Sequence, residues 1–166
     1  PGSYVQIKGS NAPEYCPEGW FLNITGSNSN DCNMAPAGFY LPNGSENPLP
    51  CQIGEFQPSP AMPFCIRSSP GNYVVGLGQI AQIECQPGSY QPGPGADSCL
   101  EVELGHYVPS SGSAVQTPCP IGMYTGSTGA VSVEECIFSA PGYYQSGSEV
   151  EPCQPGSYQP GPGADS

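Results

Sequence analysis

Basic residues are almost missing from this 166-residue chain, where Lys8 and Arg67 stand against fourteen acidic side chains for a formal net charge of -12. That balance excludes nucleic acid and anionic membrane surfaces as partners, since both would be repelled. Histidine occurs once, as His106, and no two cysteines lie closer than fourteen positions. The close Cys pairs that zinc sites use are therefore absent, and no metal or cofactor is expected. No apolar run reaches the roughly eighteen residues that a spanning helix needs. The chain starts at Pro1 without an apolar leader, so a secretion signal or anchor is expected outside this segment, and no membrane insertion within it.

What is abundant is glycine and proline, 23 and 22 residues, more than a quarter of the chain. Long helices and central strands cannot be built from that composition. Nine cysteines run evenly from Cys16 to Cys153. Such spacing in a loop-rich chain reads as a disulfide framework formed in an oxidising compartment, hence an extracellular or cell-surface location.

The chain is periodic. Glycine is followed two positions later by an aromatic at Gly2, Gly19, Gly38, Gly54, Gly71, Gly88, Gly105, Gly122, Gly142 and Gly156, with steps of 14 to 20 residues. Ten half-units tile the sequence and group into repeats 1-35, 36-68, 69-102, 103-139 and 140-166, the last truncated with the array continuing beyond.

Two kinds of half-unit alternate. Gly19, Gly54, Gly88, Gly122 and Gly156 have Cys three residues earlier, whereas Gly38, Gly71, Gly105 and Gly142 have Ala35, Ser68, Val102 and Ser139 there. Six residues before those same four glycines stand Cys32, Cys65, Cys99 and Cys136. One kind thus has both an opening and a closing cysteine and the other has neither, which predicts Cys16-Cys32, Cys51-Cys65, Cys85-Cys99 and Cys119-Cys136. Linkages such as Cys32-Cys51 are the alternative. Each loop of about fifteen residues is worth roughly 3 kcal/mol in the chain-entropy model. Four of them can replace the core that so small a unit lacks. The stretch from Cys153 to Ser166 repeats that from Cys85 to Ser98, after which Cys99 follows, so Cys153 is expected to pair with a Cys beyond the segment.

The fold expected is small and disulfide-rich, mostly irregular with short β-hairpins, stacked as an extended tandem-repeat rod with almost no helix. The repeat glycine supplies positive φ or a close backbone approach, and the aromatic after it covers the bridge and forms the spine. Alternating stretches such as Tyr73 to Leu77 and Gln79 to Ile83 read as strands, and Val131 to Cys136 allows one helical turn at most.

Asn23-Ile24-Thr25 and Asn43-Gly44-Ser45 are N-glycosylation sequons in turn-rich loops. Pro58-Ser59-Pro60 and Val108-Pro109-Ser110-Ser111 are candidates for O-linked sugar. Catalysis finds no acid-base pair or activated nucleophile, and His106 reads as a packed or exposed ring. Glu101-Val102-Glu103 and Glu134-Glu135 lack the Asp/Asn-rich loop that calcium uses. An enzyme is not expected.

Thr117-Pro118-Cys119-Pro120-Ile121-Gly122-Met123-Tyr124, closed by Glu134-Glu135-Cys136, resembles the ephrin-receptor-like cysteine-rich repeat, a relative of tumour-necrosis-factor-receptor and epidermal-growth-factor-like modules. The resemblance implies a large secreted or surface protein. The Cys-x-x-Cys common in that family is reduced here to one Cys, with Ala35, Ser68, Val102 and Ser139 in the second slot. Recurring surfaces point to a structural segment of an extracellular filament, appendage or coat that associates with copies of itself and carries glycans. The alternative is the stalk or ligand-binding region of a surface receptor or adhesin, marked by one exposed apolar patch unlike the other repeats.

Overall fold

Each repeat glycine from Gly19 on closes a tight turn. The amide after the glycine donates to the carbonyl three residues earlier, as Phe39 does to Pro36 at 3.1 Å, Glu55 to Gln52 at 2.9 Å and Met123 to Pro120 at 3.0 Å. Gly38 and Gly54, third in their turns, both have φ of 83°. A type II turn needs positive φ at that place, which side chains other than glycine resist. Pro87, Pro141 and Pro155 stand one residue before their glycines, where a fixed φ helps the same turn.

The structure, a computed structural model, describes residues 4–5, 14–22, 32–42, 45, 47–146 and 149–163. Among them, consecutive strands pair as separate two-stranded sheets. Tyr4–Val5 pairs with Glu14–Tyr15, Trp20–Leu22 with Cys32–Met34, Phe39–Tyr40 with Leu49–Pro50, and Glu55–Phe56 with Ile66–Arg67. Asn72–Tyr73 pairs with Ile83–Glu84, Ser89–Tyr90 with Leu100–Glu101, and His106–Tyr107 with Thr117–Pro118. Met123–Thr125 pairs with Cys136–Phe138, and Tyr143–Ser146 with Glu149–Pro152. The one helical element among the described residues is a 3-10 turn, Val133–Glu135, held by a capping box between Ser132 and Glu135. A small disulfide-rich fold of short hairpins with almost no helix is what the composition led us to expect. The strands read over Tyr73 to Leu77 and Gln79 to Ile83 are a correction. Only Asn72–Tyr73 and Ile83–Glu84 pair, because Gly76 and Gly78 take φ of 101° and 68° and turn the chain out into a loop.

Four disulfides join Cys16 to Cys32, Cys51 to Cys65, Cys85 to Cys99 and Cys119 to Cys136, with Cα atoms 5.7 or 5.8 Å apart. Cys153 is a half-exposed free thiol in this chain. Two of the half-units without cysteine, those that start at Gly71 and Gly105, use a polar closure beside the same places. Gln82 Oε1 accepts from the Ser69 amide at 2.8 Å, and Gln116 Oε1 accepts from the Glu103 amide at 3.0 Å.

The chain divides into two compact units, one of Pro1–Ser69, Val74–Ile83 and Gly95–Asp97, the other of Pro70–Tyr73, Glu84–Pro94 and Ser98–Ser166. The same backbone pattern ties half-units together inside each. In the first, the Gly38 amide donates to the Gln57 carbonyl at 2.8 Å and Gly54 to Val74 at 2.9 Å. In the second, Gly71 donates to Gln91 at 2.7 Å and Gly88 to Val108 at 2.9 Å. A residue seven beyond the next repeat glycine returns a bond, as Gly78 does to Cys51 and Gly112 to Cys85, at 2.9 and 2.8 Å.

Apart from Ala130 and Cys136, the buried side chains lie three residues before and three after the repeat glycine. Ala35, Cys51, Ser68, Cys85 and Val102 fill the first, and Leu41, Gln57, Val74, Val108 and Thr125 the second. The aromatics expected as the spine are only half-buried at Tyr40, Phe56, Tyr73, Tyr90, Tyr107 and Tyr124, and Tyr158 is exposed. Backbone proximity explains the difference. A Cβ built on Gly38 would stand 2.9 Å from the Gly78 carbonyl carbon, and one on Gly54 2.8 Å from that of Gly95. Gaps that narrow admit backbone and small side chains, so the rings are left at the margins.

Candidate functional site

Between the two strands of the hairpins that follow Gly54, Gly71, Gly88, Gly105 and Gly122 the loop begins four residues after the repeat glycine. Most loops are built from turn formers, as in Pro58-Ser59-Pro60-Ala61, Pro92-Gly93-Pro94-Gly95, Pro109-Ser110-Ser111-Gly112 and Gly126-Ser127-Thr128-Gly129. One differs. Val75-Gly76-Leu77-Gly78-Gln79-Ile80 carries three large apolar side chains, and Val75, Leu77 and Ile80 are 59%, 56% and 57% exposed.

The backbone of this loop is held in place. Gly78 donates to the Cys51 carbonyl at 2.9 Å, Gln79 accepts from the Gln57 amide at 3.0 Å, and Val74 at the loop's base is fully buried. A Cβ on Gly78 would lie 3.7 Å from the Phe39 ring and 3.8 Å from Pro50, so the loop's foot rests on an apolar floor. The Gln79 side chain bonds the Leu77 carbonyl at 3.4 Å rather than covering the apolar residues. No charged residue occurs between Arg67 and Glu84. The result is a fixed, uncharged apolar surface that loses little conformational entropy when covered. The nearby ion pair of Arg67 Nε with Glu55 Oε1, 3.9 Å apart and exposed on the arginine side, adds little.

The residues singled out in the sequence sit elsewhere. Asn23 and Asn43 lie outside the described residues. His106 is half-buried, with Nδ1 3.1 Å from the Leu104 carbonyl of its own turn. Glu103 accepts from Gln116 Nε2 at 3.1 Å, and Glu135 Oε1 accepts from the amides of Val131 and Ser132 at 2.8 and 3.1 Å. Glu101 lies beneath Gly129, where a Cβ would come 3.1 Å from its Oε1. These carboxylates brace loops. Among the described residues no three His, Cys, Asp or Glu side chains are gathered where a metal ion could be held. Tyr144 donates to Glu151 Oε2 at 3.1 Å, and that bond, the carboxylate's charge and smaller effects of burial and of Cys153 hold its phenol above the ordinary range.

Two functional features escape the repeat analysis. Leu77 and its neighbours become visible only when loops are aligned by distance from the repeat glycine. The second is a glutamine clamp. Gln57 bonds the Phe64 carbonyl at 2.8 Å and accepts from the Ser59 amide at 3.2 Å, and Gln91 does the same with Ser98 and Gly93 at 2.8 and 3.2 Å. Its signal is Gln-Pro three residues after the repeat glycine, at Gln57-Pro58, Gln91-Pro92 and Gln159-Pro160. In the apolar loop Val74 stands at that place instead.

No curated protein matches the chain. Residues 95–136 match the family model described as Tyrosine-protein kinase ephrin type A/B receptor-like. That match and the four disulfides support a cysteine-rich module of the extracellular, receptor-like kind.

Proposed function

We propose that this chain is part of the stalk or ligand-binding region of a cell-surface receptor or adhesin, and that it contacts a protein partner through Val75, Leu77 and Ile80. The observation that carries this reading is the loop with three exposed large apolar side chains on a fixed backbone, where the other described loops expose at most two, Phe64 in one, Val115 in another and Val131 with Val133 in a third. Three apolar side chains held together in the open mark a contact surface, and preorganisation lowers the cost of using it. The receptor-like match over residues 95–136 agrees with this setting. No catalytic role is assigned, since the carboxylates and His106 brace local backbone.

A filament or coat built by self-association is the second reading, favoured by one recurring feature. Leu49, Ile66, Leu100 and Ile137, each five residues before a repeat glycine, are exposed and stand directly opposite Tyr40, Phe56, Tyr90 and Tyr124. Like surfaces repeated along a chain can join copies without closing.

Sedimentation velocity of the disulfide-bonded chain separates the readings. A single monomer boundary at all concentrations supports the receptor-type module. Large species that grow with concentration, and that Ile66→Ser with Leu100→Ser abolishes, would instead establish self-association.

A further inference from the structure

In the half-units that start at Gly54, Gly71, Gly88, Gly105, Gly122 and Gly156, the fifth and sixth places after the glycine form the apex of the loop, and the seventh residue pins the loop back. Ala61 donates to the Ala35 carbonyl, Gly112 to Cys85 and Gly129 to Val102, each at 2.8 Å. The apex between strand and pin therefore stands clear of the hairpin. Among the described residues three apexes carry hydroxyls, Ser59, Ser110 with Ser111, and Ser127 with Thr128, and all five residues are exposed.

These hydroxyls differ from several others in the chain, though Ser139 Oγ, which is buried, also has no partner. Ser68, Ser89, Ser113 and Ser157 each donate to a backbone carbonyl, at 3.3, 2.7, 2.8 and 2.8 Å, and Thr125 Oγ1 accepts from the Gly105 amide at 2.9 Å. The five apex hydroxyls have no hydrogen-bond partner among the described residues. They do not brace their loops, so replacing their hydrogen costs the fold nothing. In the half-unit that starts at Gly38 the fifth place is Asn43, the acceptor of a sequon. Asn23, the other sequon asparagine, stands at the fourth place after Gly19, so the candidate acceptors of both kinds lie within one residue of a common place.

We propose that the loop apex is the O-glycosylation register of this chain, with Ser59, Ser110, Ser111, Ser127 and Thr128 as acceptors. In the transfer the side-chain oxygen bonds to the anomeric carbon of a phosphate-activated sugar. The bond from that carbon to the phosphate oxygen breaks, the nucleotide or lipid phosphate leaves with the electron pair, and the hydroxyl proton passes to a base of the transferase. Proline at positions 58, 60 and 109 flanks two of these apexes, the Ser-with-Pro composition that O-linked sugar favours. The loop Val75–Ile80 has no hydroxyl at its apex and stays bare.

The test is a peptide map of the protein isolated from its native surface, cleaved after glutamate because Lys8 and Arg67 are the only basic sites, with fragmentation that keeps sugars attached. The expected result is hexose or N-acetylhexosamine mass on Ser59 and on at least one residue of each remaining apex, with none on Ser68, Ser89 or Ser113. Unmodified apexes in the secreted protein, or equal occupancy at Ser89 and Ser113, would overturn the proposal. Replacing all five by Ala should remove this mass and leave the denaturation midpoint of the deglycosylated protein unchanged. A fall in that midpoint would show that the hydroxyls serve the fold instead.

Discussion

Gly54 and Gly95 pack backbone against backbone, so that a Cβ on Gly54 would stand 2.8 Å from the Gly95 carbonyl carbon. Gly76 also has positive φ, 101°, yet a Cβ there meets only the end of Gln79, at 3.4 Å. Gly54→Ala therefore combines left-handed strain with a backbone overlap and should cost about 3 kcal/mol or more. Gly76→Ala carries only the strain, about 1 kcal/mol. Denaturant midpoints of the two oxidised variants check the difference, and equal losses would show that close approach is not what fixes the repeat glycine.

Part of this was legible in the chain and part was not. The step from Gly38 or Gly54 to the aromatic two places on announced hairpins and turns, because a positive-φ glycine and its periodic spacing are written in residue identity. Which positions are buried was not. A tyrosine two places after glycine carries more apolar surface than Ala35 or Ser68, yet the rings sit at the margins because the depth of the gap is set by backbone contacts between residues distant in sequence, such as Gly54 and Gly95. The apolar loop was hidden for a related reason. Val75, Leu77 and Ile80 alternate with small and polar residues as a strand would, and only the dihedrals of Gly76 and Gly78 show that the alternation leads out of the hairpin.

Gln57 is 1% exposed and fastens both ends of its loop. Gln57→Leu keeps the bulk but strands the Phe64 carbonyl and the Ser59 amide, for a loss of about 1 to 3 kcal/mol. Hydrogen exchange should show the Ser59 amide losing protection while the Gly54 amide keeps it. An unchanged midpoint would mean that the clamp is ornamental and Pro58 alone shapes the loop.

Ser68 and Gln82 occupy the places that Cys51 and Cys65 occupy in the preceding half-unit, where Cα atoms are 5.7 Å apart. The bond from the Ser69 amide to Gln82 at 2.8 Å shows these places already adjacent. Ser68→Cys with Gln82→Cys should oxidise to a fifth intramolecular disulfide and add up to about 3 kcal/mol, less the Ser68 bond to Ala96. Intact mass with and without reductant reads the bridge. Two persistent thiols beyond that of Cys153 would contradict the equivalence of the two kinds of half-unit.

The Tyr144 phenol is raised chiefly by its hydrogen bond to Glu151 and then by the carboxylate's charge. A group whose folded pKa lies above its unfolded value contributes stability that is complete below the unfolded pKa. That contribution is lost as pH rises through the folded pKa, so the effect appears only in alkali. Ultraviolet difference titration against Tyr144→Phe isolates this phenol, and Glu151→Gln should move its transition downward. No movement would place the cause elsewhere.

The central claim is that Val75, Leu77 and Ile80 form a contact surface for another protein. A photo-crosslinking amino acid at Leu77, in the protein displayed on its native surface, tests it most directly, with the same probe at the exposed Val115 as control. The account predicts a discrete adduct of one different protein from position 77 and none from position 115. Adducts only with further copies of this chain, or identical labelling from both positions, would contradict it.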